Sequence, residues 1–371
     1  MIRVLVVEDS PVVREFLVHI LSSDAEIEVT GTASDGEEAL AAVKRQRPDV
    51  ITMDIHMPRM DGFEATRRIM ETHPTPIVIV SGSSTAKEVT TAFRAIEAGA
   101  LAVAQRPAGI GHPEHGNTAA ELVRTVKLMS EVKVVKRWAR LRRETRMPKS
   151  PVSTEVELKP APAEIRLIAI GASTGGPLAI QTILSRLPRD FSVPVLIVQH
   201  IAAGFTSGFA EWLAQSCALP IHVATHRERI LPGHVYVAPD GFQMKVENEG
   251  TLWLTSDEPE NGLRPSVSYL FRSVASVYGS QAVGVLLTGM GKDGAQELKM
   301  MKEKGAVTIA QDRESSVVHG MPGEAIDLEA ATYVLSPARI AGALARLARG
   351  RPEPEGLPAT GENDHELYYE S

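Results

Sequence analysis

A serine, a histidine and an aspartate each follow an apolar run in the second half of this 371-residue chain. Ser173 lies in the glycine-rich turn after "RLIAIGA", His200 ends "VPVLIVQH", and Asp293 comes shortly after "VGVLLTG". The carboxyl ends of parallel strands meet at one edge of a sheet, where function collects. A serine nucleophile needs a base, and the base needs an orienting carboxylate. The placement of these three residues is the one that a catalytic triad requires.

The glycines of "GASTGGP" admit a second interpretation, a phosphate-binding loop at a helix N-terminus. A Walker loop needs a lysine before the helical serine or threonine, and this loop has none. A dinucleotide fingerprint needs an acid at the end of the second strand, whereas Asp190 precedes that strand. Two plainer alternatives remain open: Ser173 caps the following helix, and Asp293 caps the helix that contains "AQELKMMKEKG".

Acidic residues also end apolar runs in the first half of the chain. Glu8 and Asp9 follow the first run, and Asp54 follows the third. Converging carboxylates repel one another unless a cation joins them, and an all-oxygen ligand set suits Mg²⁺. Such a metal would neutralise an incoming phosphoryl group and let an aspartate attack it. Ser81 and Arg106, at the ends of the fourth and fifth runs, are placed to bind the added phosphate.

Apolar runs alternate with segments of helical spacing in both halves, which predicts two doubly wound parallel sheets. We predict one α/β domain over residues 1–130 and another over 165–350, the second with an antiparallel hairpin in "FQMKVENEGTLWLTS". Residues 131–164 are first basic and then rich in proline, which predicts a helix extension followed by a linker. The acidic tail, 351–371, has the composition of a disordered segment.

The overall composition limits the classes of function. The net charge of −7 argues against binding nucleic acid by bulk electrostatics. The single cysteine, Cys217, excludes an internal disulfide, and we interpret it as a small hydrophobic residue packed in a helix. No run of 18 apolar residues occurs, so we predict no membrane insertion and a cytoplasmic location. The basic segment before the linker is either a docking site or, more simply, a solvated helix face.

The strand-end acids together with "DIHMPRMDG" resemble the receiver domain of two-component response regulators, over about residues 1–125. The resemblance implies that Asp54 is phosphorylated by a histidine kinase and that Ser81 is the switch hydroxyl. Receivers usually carry a lysine where this chain has Arg106, which keeps the charge but not the ammonium geometry. The implied Mg²⁺ ligands are Glu8, Asp9, Asp54 and the backbone of His56.

The motifs "GASTGGP", "VQH" and "LLTGMGKDG" resemble the chemotaxis protein-glutamate methylesterases, the CheB family, in which a linker joins a receiver to an esterase. The resemblance implies that Ser173 is the nucleophile, His200 the general base and Asp293 its orienting partner. It also implies that Thr174 and the backbone amide of Met290 line the site or its oxyanion hole.

This resemblance implies hydrolysis of glutamate methyl esters on chemoreceptors with release of methanol, extending to deamidation of receptor glutamines, and no metal for that step. We hypothesise that the unphosphorylated receiver packs against the esterase face and blocks Ser173, and that phosphorylation at Asp54 shifts the population towards an open state. The segment "SVVHGMP", residues 316–322, is similar to a loop near the site. Two positions depart from the family pattern: Gln243 stands where members often have histidine, and Ser268 where many have aspartate. The rival hypothesis is a phosphorylation-controlled binding module without catalysis, while a DNA-binding regulator has little support.

Overall fold

In a computed structural model of the chain, the described residues are 1–82, 86–132, 134, 163–248 and 250–349. The predicted tail, the basic segment and most of the predicted linker lie outside these residues. Two parallel sheets, each covered by helices, make up the described part of the chain. The predicted fold class, two doubly wound α/β domains with a hairpin in the second, is therefore confirmed.

The described part of the first domain alternates five strands with five helices. These are β1 Ile2–Val7, α1 Pro11–Ser22, β2 Ile27–Ala33, α2 Gly36–Gln46, β3 Val50–Met53, α3 Gly62–Thr72, β4 Ile77–Ser81, α4 Ala86–Ala98, β5 Ala102–Gln105 and α5 His115–Ser130. The strand order is β2-β1-β3-β4-β5, and all pairs are parallel. Because β1 lies beside β3, the residues that follow these two strands are neighbours.

The described part of the second domain contains nine strands and six helices. They are β6 Leu167–Ala172, α6 Gly176–Leu184, β7 Val195–Gln199, α7 Thr206–Ser216, β8 Ile221–Val223, β9 Val235–Val237, β10 Gln243–Glu247, β11 Thr251–Thr255, α8 Val267–Val277, β12 Ala282–Leu286, α9 Ala295–Glu303, β13 Val307–Gln311, α10 Met321–Asp327, β14 Tyr333–Leu335 and α11 Pro337–Ala348. Seven strands form one parallel sheet in the order β14-β13-β12-β6-β7-β9-β8, and β10 pairs with β11 as the predicted antiparallel hairpin. The central strands β12, β6 and β7 bring three loops together at their carboxyl ends.

Each sheet buries both faces, because successive side chains of a strand point to opposite sides. In β6, Ile168 and Ile170 join one core cluster, and Leu167 and Ala169 join the other. All four side chains are inaccessible to solvent or nearly so. This double burial explains why the strands appear in the sequence as continuous apolar runs rather than as alternating ones.

The sequence did not predict the two edge strands β8 and β14 or the short helix α10. Each edge strand has three residues, most of them partly exposed, and therefore leaves no continuous apolar run. Cys217, predicted to lie within a helix, is instead the first residue after α7 and has an extended backbone. Its thiol is partly buried, and burial raises its pKa.

The two domains contact each other through α4 of the first and α7 of the second. Phe93 lies 5.3 Å, between ring centroids, from both Phe209 and Trp212. Glu97 accepts hydrogen bonds from the Gln181 side chain at 2.9 Å and from the Trp212 indole at 3.0 Å. The contact therefore combines a buried aromatic cluster with a charged residue at its border.

Within the described residues, no helix combines the length and the apolar character needed to cross a bilayer.

Candidate active site

The turn that carries Ser173 is held by backbone hydrogen bonds. The Ser173 N–H donates to the Thr288 carbonyl at 3.0 Å, and the Gly176 N–H donates to the Ser173 carbonyl at 2.8 Å. Gly175, with φ of +77°, is the residue before α6, and no side chain caps that helix. The alternative in which Ser173 serves as a helix cap is therefore wrong for this fold.

His200 follows β7 and is tied directly to the Ser173 turn. The backbone N–H of His200 donates to the Ala172 carbonyl at 2.9 Å. The Gln199 amide nitrogen donates to the carbonyls of both Ser173 and His200, each at 2.8 Å. Two hydrogen bonds therefore join the ends of the adjacent strands β6 and β7, and a third, from Gln199 to the His200 carbonyl, holds the β7 end itself.

Asp293 completes the connection at the end of β12. Its Oδ2 lies 2.9 Å from Nε2 of His200, and the aspartate is only 5% exposed. The carboxylate also accepts the N–H groups of Val267 and Ser268, at 2.6 and 3.1 Å, in the first turn of α8. The alternative in which Asp293 caps the helix that contains "AQELKMMKEKG" is wrong, because that helix, α9, starts after Gly294 without a side-chain cap. Asp293 instead caps α8.

The surroundings of Asp293 fix its protonation and thereby the tautomer of His200. Burial favours the neutral acid, but hydrogen bonding to His200, its charge, and hydrogen bonds from Ser268 and Val267 outweigh it and lower the pKa of Asp293 to about 2. An ionised carboxylate only accepts hydrogen bonds, so Nε2 of His200 carries the hydrogen. Nδ1 therefore keeps the lone pair that a general base needs.

Among the described residues, no hydrogen bond joins the Ser173 hydroxyl to His200. Contacts of this kind are often long without substrate and shorten in the substrate complex. Ser173 is half-buried. Nε2 of the His200 ring is already hydrogen-bonded to Oδ2 of Asp293. A serine proton could reach His200 only through Nδ1.

Backbone amides border the Ser173 turn. A Cβ on Gly289 would lie 2.7 Å from Cβ of Ser173, so this position must lack a side chain. The N–H groups of Thr174, beside Ser173, and of Met290, beside Gly289, donate to no other described residue. Free amides next to a nucleophile are the groups that stabilise a developing oxyanion. The structure thus brings the two predicted site-lining residues to the same turn.

The segment "SVVHGMP", residues 316–322, also packs against this turn. His319 pairs with Gly289 in a parallel bridge, and the Gly289 N–H donates to the Val318 carbonyl at 3.0 Å. A cleft of about 660 Å³ opens beside it, lined by Lys292, Arg313, His319 and Glu324 among others. Burial, together with the charge of Arg313, lowers the pKa of His319.

Two polar residues at the site were not predicted to act together. Gln243, completely buried, accepts the Ser266 N–H through Oε1 at 2.9 Å. The Ser266 hydroxyl in turn donates to Oδ1 of Asp293 at 2.8 Å. The sequence offered one signal for this, a serine at the start of "SVSYLF", which is a typical helix beginning.

The acidic pocket of the first domain also forms as predicted. Carboxylate oxygens of Glu8, Asp9 and Asp54 all lie within 4.8 Å of one another. The cavity measures about 360 Å³. Its lining includes the other predicted residues, His56, Ser81 and Arg106.

The electrostatics of this pocket differ from those at Asp293. Burial and the charge of Asp54 raise the pKa of Glu8 to about 7, although Arg106 opposes the shift. Burial also raises the pKa of Asp54. Arg106 donates to Glu8 at 3.3 Å, and its buried Nε has no hydrogen-bond partner among the residues that the structure describes. Three clustered oxygen ligands with insufficient positive charge fit a hard cation such as Mg²⁺.

Two protein-family models match the chain. The model described as CheB methylesterase matches residues 168–344, and the response regulator receiver domain model matches residues 4–110. The first match contains Ser173, His200 and Asp293, and the second contains the acidic pocket.

Curated relatives align with nearly the whole chain, across both domains. A protein-glutamate methylesterase/protein-glutamine glutaminase of Nitrosospira multiformis is 62% identical, covering 95% of this chain and 99% of that protein. One of Geobacter metallireducens is 59% identical over 94% of this chain and 99% of its own length. The CheB methylesterase catalytic domain of Thermotoga maritima, a crystal structure, is 36% identical with a TM-score of 0.48, covering 50% of this chain and all of that domain. The chain therefore belongs to the CheB family of protein-glutamate methylesterases/protein-glutamine glutaminases, with a receiver domain ahead of its esterase domain.

Proposed function

We propose that the chain hydrolyses glutamate γ-methyl esters on chemoreceptors, releases methanol, deamidates receptor glutamines, and is controlled by phosphorylation of Asp54. The observation that carries this proposal is the continuous set of contacts from the Ser173 turn through His200 to Asp293. The relatives' names supply the substrate class, and the geometry supplies a mechanism that uses no metal.

In the acylation step, Oγ of Ser173 attacks the ester carbonyl while Nδ1 of His200 takes the hydroxyl proton. The N–H groups of Thr174 and Met290 stabilise the oxyanion. The bond from carbon to methoxy oxygen then breaks, and His200 returns the proton, so methanol leaves. Asp293 stays ionised throughout and stabilises the positively charged imidazole ring.

In the deacylation step, Nδ1 of His200 takes a proton from water, and the water oxygen attacks the acyl carbon. The bond to Oγ of Ser173 breaks, Oγ regains the proton, and the glutamate carboxyl group leaves. A glutamine side chain follows the same route with ammonia as the first product. One set of residues therefore accounts for both activities in the relatives' names.

In the receiver, we propose that Asp54 accepts a phosphoryl group from the phosphohistidine of a kinase, breaking a P–N bond and forming a P–O bond. Glu8, Asp9, Asp54 and the backbone of His56 would hold Mg²⁺, whose charge offsets that of the phosphoryl oxygens. The Ser81 hydroxyl donates to a phosphate oxygen. Arg106, now beside Glu8, supplies a positive charge to the same group.

Control of Ser173 by Asp54 requires a physical route between the domains. Helix α4 of the receiver packs against α6 and α7 of the esterase domain. These are the helices that follow Ser173 and His200 in the chain. Val317, which would contact a Cβ on Gly175, also packs with Val318 against a core cluster of the receiver. We propose that this arrangement restricts access to Ser173 and that phosphorylation favours a more open population.

Methanol release from a methylated receptor fragment tests the proposed function. Wild-type chain should release methanol, and Ser173→Ala should reduce the rate by at least about 10³-fold. Ser185→Ala, at the exposed end of α6, is the matched control and should behave as wild type. Equal turnover in Ser173→Ala would contradict the mechanism.

The rival binding module predicts a different result in the same assay. It binds receptor fragments but releases no methanol, with or without a phosphodonor such as acetyl phosphate. An esterase without the proposed switch would release methanol at one rate under both conditions. The proposal requires turnover that rises when the phosphodonor is added.

A further inference from the structure

We infer that the N-terminus of α8, held in place by Gln243 and Ser266, positions the carboxylate of Asp293 and so sets the reactivity of Ser173. The inference rests on the proposed function, because Asp293 acts on Ser173 only through His200. Gln243 and Ser266 are positioning residues in this account, since within the described part of the chain neither forms a hydrogen bond with Ser173 or His200.

Both carboxylate oxygens of Asp293 are fixed by α8. Oδ1 accepts the Ser266 hydroxyl at 2.8 Å and the Ser268 N–H at 3.1 Å. Oδ2 accepts the Val267 N–H at 2.6 Å as well as Nε2 of His200 at 2.9 Å. Four donors leave the carboxylate no freedom to rotate, so its orientation follows that of the helix start.

The helix start also stabilises the charge of Asp293. The first N–H groups of a helix lack partners within the helix, and the helix dipole is positive at this end. Ser266 precedes α8 in an extended conformation, yet its hydroxyl does not cap its own helix. The aspartate takes that place, which frees the Ser266 hydroxyl to act as a further donor to the carboxylate.

Gln243 locates the helix start relative to the hairpin. Its Oε1 accepts the Ser266 N–H at 2.9 Å, and its Nε2 donates to the Leu263 carbonyl at 3.1 Å. The side chain is fully buried, so water cannot replace either partner. A buried amide that lost these bonds would leave polar groups unsatisfied, which is costly.

Val267 fixes the same helix start against the two strands that carry Ser173 and Asp293. Its Cγ1 would lie 2.3 Å from a Cβ on Gly171, just before the nucleophile turn, and 2.4 Å from one on Gly294. Gly294 directly follows Asp293 and has φ of +82°. The contact leaves room only for glycine at both positions. It therefore couples α8 to the segment that carries Ser173 and to the segment that carries Asp293.

Labelling of Ser173 by a fluorophosphonate probe tests the inference without a receptor. The serine oxygen bonds to phosphorus, the P–F bond breaks, fluoride leaves and the proton passes to His200. The chain of residues 1–371, with Mg²⁺ and acetyl phosphate, is used throughout. Ser266→Ala should slow labelling about tenfold, the effect of losing one hydrogen bond to a charged group.

A double-mutant cycle separates positioning from a general structural role. Asp293→Asn should slow labelling further than Ser266→Ala does, and adding Ser266→Ala to Asp293→Asn should produce no additional loss. Gln243→Leu, of similar size, should show the same dependence on Asp293. A tenfold loss that persists in the Asp293→Asn background would overturn the inference, as would normal labelling in both Ser266→Ala and Gln243→Leu.

Ser273→Ala is the matched control. Its hydroxyl lies on the same helix, accepts from the Val246 N–H at 3.1 Å and donates to the Leu270 carbonyl at 2.7 Å, and forms no hydrogen bond with Asp293. Labelling in this variant should match wild type, whereas a loss equal to that of Ser266→Ala would show that any defect in α8 suffices and would overturn the inference.

Failure of the proposed function would be visible separately. A wild-type chain that labels at Ser173 but releases no methanol would contradict the proposed substrate, while the cycle would still decide the inference. With a methylated receptor fragment, Ser266→Ala should lower kcat about tenfold and leave KM unchanged. An effect confined to KM would contradict positioning of the triad.

Discussion

The two sites of this protein lie at equivalent edges of two parallel sheets, yet their buried carboxylates are in opposite electrostatic states. In the receiver, burial and mutual repulsion raise the pKa of Glu8 to about 7. In the esterase domain, Asp293 is also buried, but four hydrogen-bond donors surround it and its pKa falls to about 2. The same fold geometry therefore produces one site with excess negative charge and one in which the charge is satisfied.

The difference corresponds to what each carboxylate has to do. In the proposed function Asp54 accepts a phosphoryl group and releases it again, and a pocket that lacks sufficient positive charge suits a cation and a transient modification. In the proposed mechanism Asp293 remains in one place and one charge state through a whole catalytic cycle. Donors from a helix start meet that need, because they move only if the helix moves.

The largest expected effect comes from removing the charge of Asp293 without changing its size. Asp293→Asn should lower methanol release by about 10³- to 10⁴-fold, since the imidazole ring loses both its tautomer control and its stabilising charge. Steady-state assays on a methylated receptor fragment measure this. Activity within tenfold of wild type would remove the contrast between the two sites.

The next effect concerns the receiver. Asp54→Asn should abolish the stimulation by acetyl phosphate, because the amide cannot take up the phosphoryl group. The ratio of methanol release with and without the donor should fall to about one, while Asp24→Asn, a carboxylate near Lys127 at the protein surface, should keep the wild-type ratio. Stimulation that survives in Asp54→Asn would place the phosphorylation elsewhere.

The low pKa of Asp293 predicts a pH dependence of stability. A folded-state pKa near 2, against about 3.9 in the unfolded chain, gives stability that is present above pH 4 and lost as the pH falls through 2. The difference amounts to about 2 kcal/mol between pH 5 and pH 2. The free energy of unfolding of the esterase domain, measured with urea at pH 5 and at pH 2, should change less between these pH values in Asp293→Asn than in the wild type. An equal change in both would contradict the account.

The smallest expected effect tests the contact between the domains. Glu97→Ala removes the acceptor shared by Gln181 and Trp212, and it should raise unstimulated methanol release about two- to fivefold, because a hydrogen bond contributes only about 0.5–1.5 kcal/mol net. Arg94→Ala, exposed on the same helix, is the control and should have no effect. A decrease in Glu97→Ala would mean that the contact supports activity instead of restricting it.

Strand-end positions explain why much of both sites could be predicted. Ser173, His200 and Asp293 follow continuous apolar runs, and adjacency of parallel strands then brings them together. The same logic located Glu8 and Asp54. A pattern of local apolar runs is thus sufficient where function depends on strand ends.

The sequence was insufficient where position depends on packing between distant segments. Asp293 caps α8, which starts 26 residues earlier, and not the adjacent α9, because Val267 docks against Gly171 and Gly294. The pairing of Gln243 with Ser266 likewise depends on where the hairpin packs. The edge strands β8 and β14 were missed because half-exposed strands of three residues carry no apolar signal.

The central claim, a single Ser173 acyl-enzyme for both esters and amides, is tested most directly by adding hydroxylamine to the reaction. The nitrogen of hydroxylamine attacks the acyl carbon in place of water, and the bond to Oγ of Ser173 breaks. The receptor side chain then becomes a hydroxamate instead of a carboxyl group. Mass spectrometry gives the ratio of these two products for methylated and for glutamine-bearing receptor fragments. The account predicts the same ratio from both substrates at a given hydroxylamine concentration. Different ratios, or hydroxamate from neither substrate, would contradict it.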